Sequence, residues 1–461
     1  MSTTSESKIE TPTAPKTPPL MKGAPIIGVM PAFVQDPTAL LLKAARTHPG
    51  AIVALPIGPV RIYLLSEPTH VQHVLNDNWR NYVKGAMWKP TRRLMGNGLV
   101  TNEGETWIRS RRLVQPLFTP KHLTSLIDTL AGSISRAGDR LLAQAARGAE
   151  VDMAQEMMHL VQVVFLEALF GVGIAAADTE TVGRAVVRAL EAINLRAFLY
   201  FLPEWFPFPG ERQLTQDIAI IDQTVFRIVQ ERRRSGESSN DLLSLLLKAR
   251  DDGTGDGMDD RQLRDELVTM FVAGNDTTAV AMTWFWYVID EYPDVGRRLR
   301  AELDEVLGGR PPTWDDLAKL TYTKAVIQET MRLYPPGWII PRVAESADVI
   351  GGFSIPAGAT VLMSEYVTQR SERLWDRPTV FDPTRFDPTL SAQRPRYAYF
   401  PFGGGPRQCM GAQLAMMMMQ MIIASIAPKM LMHRLPTHQV KPQSTITLRP
   451  RGGLKMTLRS L

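Results

Sequence analysis

The chain has 461 residues, 44% apolar and 21% charged, the balance of a globular protein with a large buried core. Its 52 lysines and arginines against 47 acids leave a formal charge of +5, too slight to indicate a nucleic-acid binder. A single cysteine rules out an intramolecular disulfide, and the 7 histidines form no zinc-like cluster with it.

Residues 1–20 are rich in Ser, Thr and Pro and hold too few large apolar groups to offset the cost of ordering, so they read as a disordered lead. No basic start followed by an apolar run marks a signal peptide. No stretch of about eighteen apolar residues marks a membrane anchor; the nearest, 414–428, is short and carries Gln420 and Ser425. The expectation is a cytoplasmic monomer. Residues 18–25 form a rigid extended segment. Residues 51–65 alternate β-branched and turn residues and predict a hairpin. Apolar spacings of three and four predict helices over 123–170 and 214–234. Between them, Phe198–Pro209 is dense in aromatics and prolines, which suits either a ligand-access surface or packing under a neighbouring helix. A polar, Gly-rich loop at 250–260 ends in acids able to cap a helix running from Asp260 to about Tyr292. Residues 349–361 and 445–458 suit short strands. No repeat or linker divides 21–461, which reads as a single α-rich domain with a small β-rich region.

Four segments carry chemistry. Trp107 and Arg111 share a helix face and both donate hydrogen bonds, which fits carboxylate binding; Arg111 is expected to turn inward, with Arg109 and Arg112 outward. Gly274 and two threonines sit inside the long predicted helix, where local preference disfavours them. There Thr277 can bond its own backbone and Asp276 offers a proton-exchanging carboxylate. Glu329 and Arg332 lie three apart on one helical face and can pair. Cys409 stands in Phe402-Gly-Gly-Gly-Pro-Arg-Gln-Cys-Met-Gly411, where glycines let the backbone press on a flat ligand and the thiolate suits haem iron.

Phe402-x-x-Gly405-x-Arg407-x-Cys409-x-Gly411 resembles the haem-binding loop of the cytochrome P450 family. Ala273-Gly274-x-Asp276-Thr277-Thr278 is similar to that family's oxygen-activation motif. Glu329-x-x-Arg332 with Arg385-Phe386 resembles its buried charge triad, and Trp107-x-x-x-Arg111 another of its signatures. The resemblance spans nearly the whole chain, and the motifs stand in the family's order. It implies the mainly α P450 fold with small β-sheets, and haem b ligated by Cys409. Trp107, Arg111, Arg342, Arg407 and Lys84 would face the propionates, and Phe402, Gly411 and Ala273 the macrocycle. Asp276 and Thr277 would deliver protons, while Glu329, Arg332 and Arg385 would be structural. By analogy, Met87, Trp88, Val100, Ala273, Gly337, Trp338, Ile339 and Ile340 would line the substrate pocket, and Phe198–Phe208 its entrance.

The implied reaction inserts one atom of O2 into a C–H bond of a hydrophobic terpenoid, fatty acid, steroid or polyketide. Electrons would come from a separate ferredoxin or flavodoxin and its NAD(P)H reductase, docking on a basic face that includes Arg109, Arg112 and Lys121. Alternatives of the same fold are a peroxide-driven or a non-hydroxylating haem-thiolate enzyme; a haem-based ligand sensor is a third.

Overall fold

The structure, a computed structural model, describes residues 14–171, 176–200, 202–203, 205–236, 241–251 and 253–461. Of the lead expected over 1–20, residues 1–13 lie outside these. Lys16 and Pro19 are already hydrogen-bonded to the sheets: Lys16 N–H donates to the Gly352 carbonyl (2.7 Å), and Ala54 N–H to the Pro19 carbonyl (2.8 Å).

The predicted hairpin forms from Val53–Ile57 and Val60–Leu65, turning at Gly58, whose φ of +55° a side-chain-bearing residue rarely adopts. It is the edge of a five-stranded sheet that continues through Thr360–Met363 and Ile340–Ala344 to Tyr82–Val83. Val60–Leu65 pairs with Thr360–Met363 in parallel. Tyr82–Val83 pairs antiparallel with Ala344 and Val343. That register sets Lys84, one residue past the strand, opposite Arg342.

The helical lobe is built on Asp260–Glu291, whose N-terminus is capped by Asp259 accepting from Gln262 N–H (2.7 Å). This helix is apolar on nearly every side and buried along most of its length, the pattern of a helix at the centre of a core. It packs against Met153–Phe170, Glu211–Ser235, Thr321–Leu333 and Ala412–Ile426. Met153–Phe170 is long and apolar enough by length and composition to cross a membrane, a feature missed in the sequence, but 67% of it is buried within the fold. The helical stretch expected over 123–170 is interrupted by the strand Glu150–Asp152, which pairs with Lys455–Ser460. Near the C-terminus, Pro442–Ser444 and Leu448–Pro450 form a two-stranded hairpin. In the aromatic stretch, Phe201 and Glu204 lie outside the described residues; Trp205 is 81% exposed and Phe208 8%.

Candidate active site

The cysteine loop is shaped by glycine. Gly403 and Gly405 have φ of +68° and +66°. A Cβ on Gly405 would stand 1.7 Å from the Leu75 carbonyl oxygen, so no side chain fits there. A 3-10 turn at Gly405–Arg407 follows, and Cys409 N–H closes the loop onto the Phe402 carbonyl (3.0 Å). The Cys409 side chain is accessible, although protein surrounds it. Burial pushes its thiol up, opposed by the N–H groups of Gly411 and Ala412 and by the Arg111 guanidinium. Those two amides, at the start of Ala412–Ile426, point at the sulfur and favour its anionic form.

The same loop carries Arg407 into a cluster of buried cations. Arg407 pairs with Glu103, and its guanidinium lies 5.1 Å from the Trp107 ring centre and 5.9 Å from that of Trp79. Its Nε and Nη1 are buried without partners among the described residues. Lys84 Nζ donates to the carbonyls of Asn102 (2.7 Å) and Leu99 (3.3 Å). Burial first, and then Arg407, push Lys84 down to about 7. Arg342 donates to its neighbour's carbonyl on Pro341 (2.8 Å); burial and Arg407 push it down to about 10. Glu103 also accepts from Lys84 N–H (2.7 Å). Glu103 thus faces Lys84, Arg342 and Arg407, and Glu365, whose carboxyl burial pushes well up, faces Arg342, with two nitrogens of the Arg407 guanidinium to spare. Such a cluster fits a ligand bearing two carboxylates, as the propionates of haem do.

Arg111 departs from expectation. It donates to the Gln408 carbonyl (2.8 Å) and to Gln115 Oε1 (3.2 Å), beside the cysteine rather than in the cation cluster. Its helix, Gly104–Val114, turns Trp107 to one side and Arg111 to the Cys409 loop. Arg92, unnoticed in the sequence, stands near Lys84 instead. Arg109 is held inward by Gln262 Oε1 (2.8 Å) and the Gly257 carbonyl (3.1 Å). Arg112 is exposed and paired with Asp251 at 3.3 Å. Glu103 and Trp79 were also missed. The charge of Glu103 could have been inferred, since a cluster of buried cations needs a counter-ion, but Trp79 carries no sequence signal.

On the long helix, Ala273, Gly274 and Thr277 are half-exposed among buried neighbours, a stripe where the buried helix meets open space. Thr277 Oγ donates back to the Ala273 carbonyl (2.7 Å), yet the helix runs on unbroken. A Cβ on Gly274 would lie 2.4 Å from the Phe165 ring, so the glycine admits that ring from Met153–Phe170. Asp276 Oδ2 accepts from Thr447 Oγ and Oδ1 from Arg449, both at 2.8 Å.

Glu329 and Arg332 are fully buried and paired. Arg385 Nε stands 3.4 Å from Glu329. Arg332 also donates to the carbonyls of Gln369 (2.8 Å), Pro378 (2.7 Å) and Val380 (3.2 Å), tying the helix Thr321–Leu333 to the segment that leads to the cysteine.

The pocket expectations divide. Among the described residues nothing stands within 4 Å of where a Gly337 Cβ would lie, and Ile340 comes 3.6 Å from the corresponding position on Gly403. Val100 packs on the main helical core. Met87 and Trp88 are half-buried in a turn against the helix Ala176–Phe198. Trp338 and Ile339 do not join them. Both pack with Leu41, Val53 and Leu362 under the sheet, because Trp338 N–H is drawn to the Thr445 carbonyl (2.9 Å).

The family model for cytochrome P450 matches residues 18–455. The chain is 34% identical over 414 residues to cyclooctat-9-en-7-ol 5-monooxygenase of Streptomyces melanosporofaciens, covering 89% of this chain and 88% of that one. It is 32% identical to cyclooctatin synthase of the same organism, covering 94% of each. The crystal structure of the cytochrome P450DA heme domain shares its fold at a TM-score of 0.88 and 23% identity, over 97% of this chain and 98% of that one. With its one cysteine held in that loop, the chain belongs to the cytochrome P450 family of haem-thiolate monooxygenases.

Proposed function

We propose that Cys409 is the thiolate ligand, that Lys84, Arg342, Arg407 and Trp107 hold the propionates, and that the substrate is a largely hydrocarbon, cyclic terpenoid. The observation that carries the reading is that one short loop presents Cys409 and delivers Arg407 to the under-compensated cations. Haem, when bound, supplies dioxygen activation and C–H oxidation. The balanced reaction consumes substrate, O2, two electrons and two protons, and yields hydroxylated product and water.

The chain's part is to hold the sulfur anionic with amide N–H groups, to orient the propionates, and to move protons. Asp276 relays protons towards the site and Thr277, one residue on, presents its hydroxyl at the half-exposed stripe. Apolar Val100, Ala273 and Ile340, with the open position at Gly337, favour a hydrocarbon skeleton. The names of the two Streptomyces relatives support a cyclic one.

Electrons come from a ferredoxin or flavodoxin with its NAD(P)H reductase. Because Arg109 and Arg112 are engaged, the docking charge falls to Lys121 and the edge of Arg111. Phe118, 3.8 Å from the position of a Gly411 Cβ, sets the Lys121 helix beside the cysteine loop. Titrating the ferric protein with terpenoids, fatty acids, steroids and macrolides tests the substrate: a high-spin Soret shift confined to cyclic terpenoids is expected, and a shift confined to another class overturns it. Cys409→Ser is expected to lose the thiolate spectrum; retaining it would overturn the ligand assignment.

A further inference from the structure

Asp276 is not free on its helix. Both its oxygens are taken by the C-terminal hairpin: Oδ2 accepts from Thr447 Oγ (2.8 Å) and Oδ1 from Arg449 Nη2 (2.8 Å), while Arg449 Nη2 also reaches Thr447 Oγ at 3.0 Å. The hairpin is anchored around this contact. Trp284, two turns further along the long helix, donates its indole N–H to the Leu448 carbonyl (2.7 Å), and Leu448 N–H donates to the Pro336 carbonyl (3.0 Å). Thr447 and Leu448 are buried. The Asp276 side chain is 9% exposed and that of Arg449 31%, so the arginine is the member of the pair that meets water.

We propose that Arg449 and Thr447 are positioning residues for proton supply, so that the C-terminal hairpin is part of the oxygen-activation machinery. This rests on the reading of Asp276 as the proton-exchanging carboxylate. An arginine does not give up its own proton at ordinary pH; its part is to fix the carboxylate and to bring water to its edge. A charge-assisted bond of this length is among the stronger side-chain contacts. The threonine hydroxyl donates to the carboxylate and, by accepting from Arg449, keeps the three groups in one arrangement. Proton transfer depends on heavy atoms being held within hydrogen-bond reach, so loosening the clamp slows proton delivery without touching the thiolate or the propionates.

The test uses the full-length holoprotein and four variants: Asp276→Asn, Arg449→Gln, Arg449→Lys and Thr447→Val. The probe is dioxygen without substrate. Each protein in air-saturated buffer is fed electrons continuously by NADPH through a ferredoxin and its reductase, so that both electrons are supplied, and NADPH reoxidation is timed in H2O and in D2O. In parallel, backbone deuterium uptake is measured over 442–450, and the carbon monoxide spectrum checks the haem site. Removing a positioned proton donor changes a rate by about 10²–10⁴-fold; Arg449→Gln is expected to change reoxidation about tenfold in the same direction as Asp276→Asn, and to alter the solvent isotope effect. Arg449→Lys should recover most of the difference and Thr447→Val should fall between. If Arg449→Gln speeds deuterium uptake in the hairpin but reoxidises NADPH as the parent does, the hairpin is only a structural bolt and the inference falls, with Asp276 untouched. If Asp276→Asn itself behaves as the parent, the reading of Asp276 falls and takes the inference with it. Should Arg449→Gln fail to hold haem, Arg449→Lys and Thr447→Val decide: parental rates and isotope effects in both overturn the proposal.

Discussion

Lys84 is the residue whose chemistry is most sensitive to what it binds. Burial, then Arg407 and, more weakly, Arg342 and Arg92, push it down to about 7, with Glu103 opposing them. Above that pH the haem-free protein carries Lys84 largely uncharged, while a propionate binds its charged form. Haem capture therefore takes up a proton there, against the one the Cys409 thiol releases in becoming the thiolate, and Lys84 is expected to add a downward slope to the affinity past about pH 7, of up to tenfold per pH unit. Titrating apoprotein with hemin between about pH 6 and 9 checks this, since the proton is held by Lys84. Lys84→Met should bind more weakly with that slope gone, and a slope unchanged in the variant would remove Lys84 from the site. Cys409 was legible because its loop is local, with sulfur, glycines and arginine all within ten residues. The surroundings of Arg111 were not legible, because helical spacing gives the face a side chain shares, not what stands opposite. Here the Gln408 carbonyl, from nearly three hundred positions away, captures it.

Two carboxylates on the long helix hold the loop that carries Val100. Asp265 accepts from Asn97 N–H (2.8 Å) and Glu266 from Leu99 N–H (3.0 Å). Burial is the first cause pushing Glu266 up, to about 7 from an ordinary value of 4.5. A folded value above the unfolded one means stability present at low pH is lost as pH rises through about 4.5 to 7. Glu266→Gln keeps an acceptor for Leu99 and removes that loss, so its Tm should exceed the parent's at pH 8, the gap closing below about pH 4.5. An equal gap at both pH values would mean that ionisation is not the cause. Gly274 is the other control on this helix. Gly274→Ala puts a methyl into the Phe165 ring and should cost about 1–3 kcal/mol, recovered in part by Phe165→Leu; denaturant midpoints of the single and double variants measure it. The helix itself was legible from its pattern and its acidic start. The use of Gly274 was not, because a missing side chain does not name the neighbour that fills its place.

At the scale of the molecule, a buried knot joins the helical lobe to the cysteine segment. Glu329 and Arg332 are fully enclosed, and burial pushes the Glu329 carboxyl up against the pull of Arg332. Removing one partner leaves a buried charge uncompensated, at a cost of about 3–5 kcal/mol. Glu329→Ala is expected to yield protein that loses haem on gel filtration, and full retention would show that the knot is not needed. Arg332→Lys should not rescue the site, since a lysine cannot reach Gln369, Pro378 and Val380 together with Glu329. The fold class and the hairpin at 51–65 were legible because they rest on local patterns. The five-stranded sheet was not. It is assembled from strands near residues 55, 62, 83, 342 and 362, and no local signal records such pairings.

That sheet has a consequence for the order of events during synthesis. Its edge hairpin leaves the ribosome early, but the strand it pairs with in parallel, Thr360–Met363, is made only after most of the chain. Non-local pairing of this kind is slow, and until it is made the apolar faces of the early strands stay uncovered. Arg342 reaches Lys84 through this sheet, and Arg407 and Cys409 come later still, so cofactor capture belongs to the last stage of folding. A nascent chain stalled before residue 340 should bind hemin no better than an unfolded one.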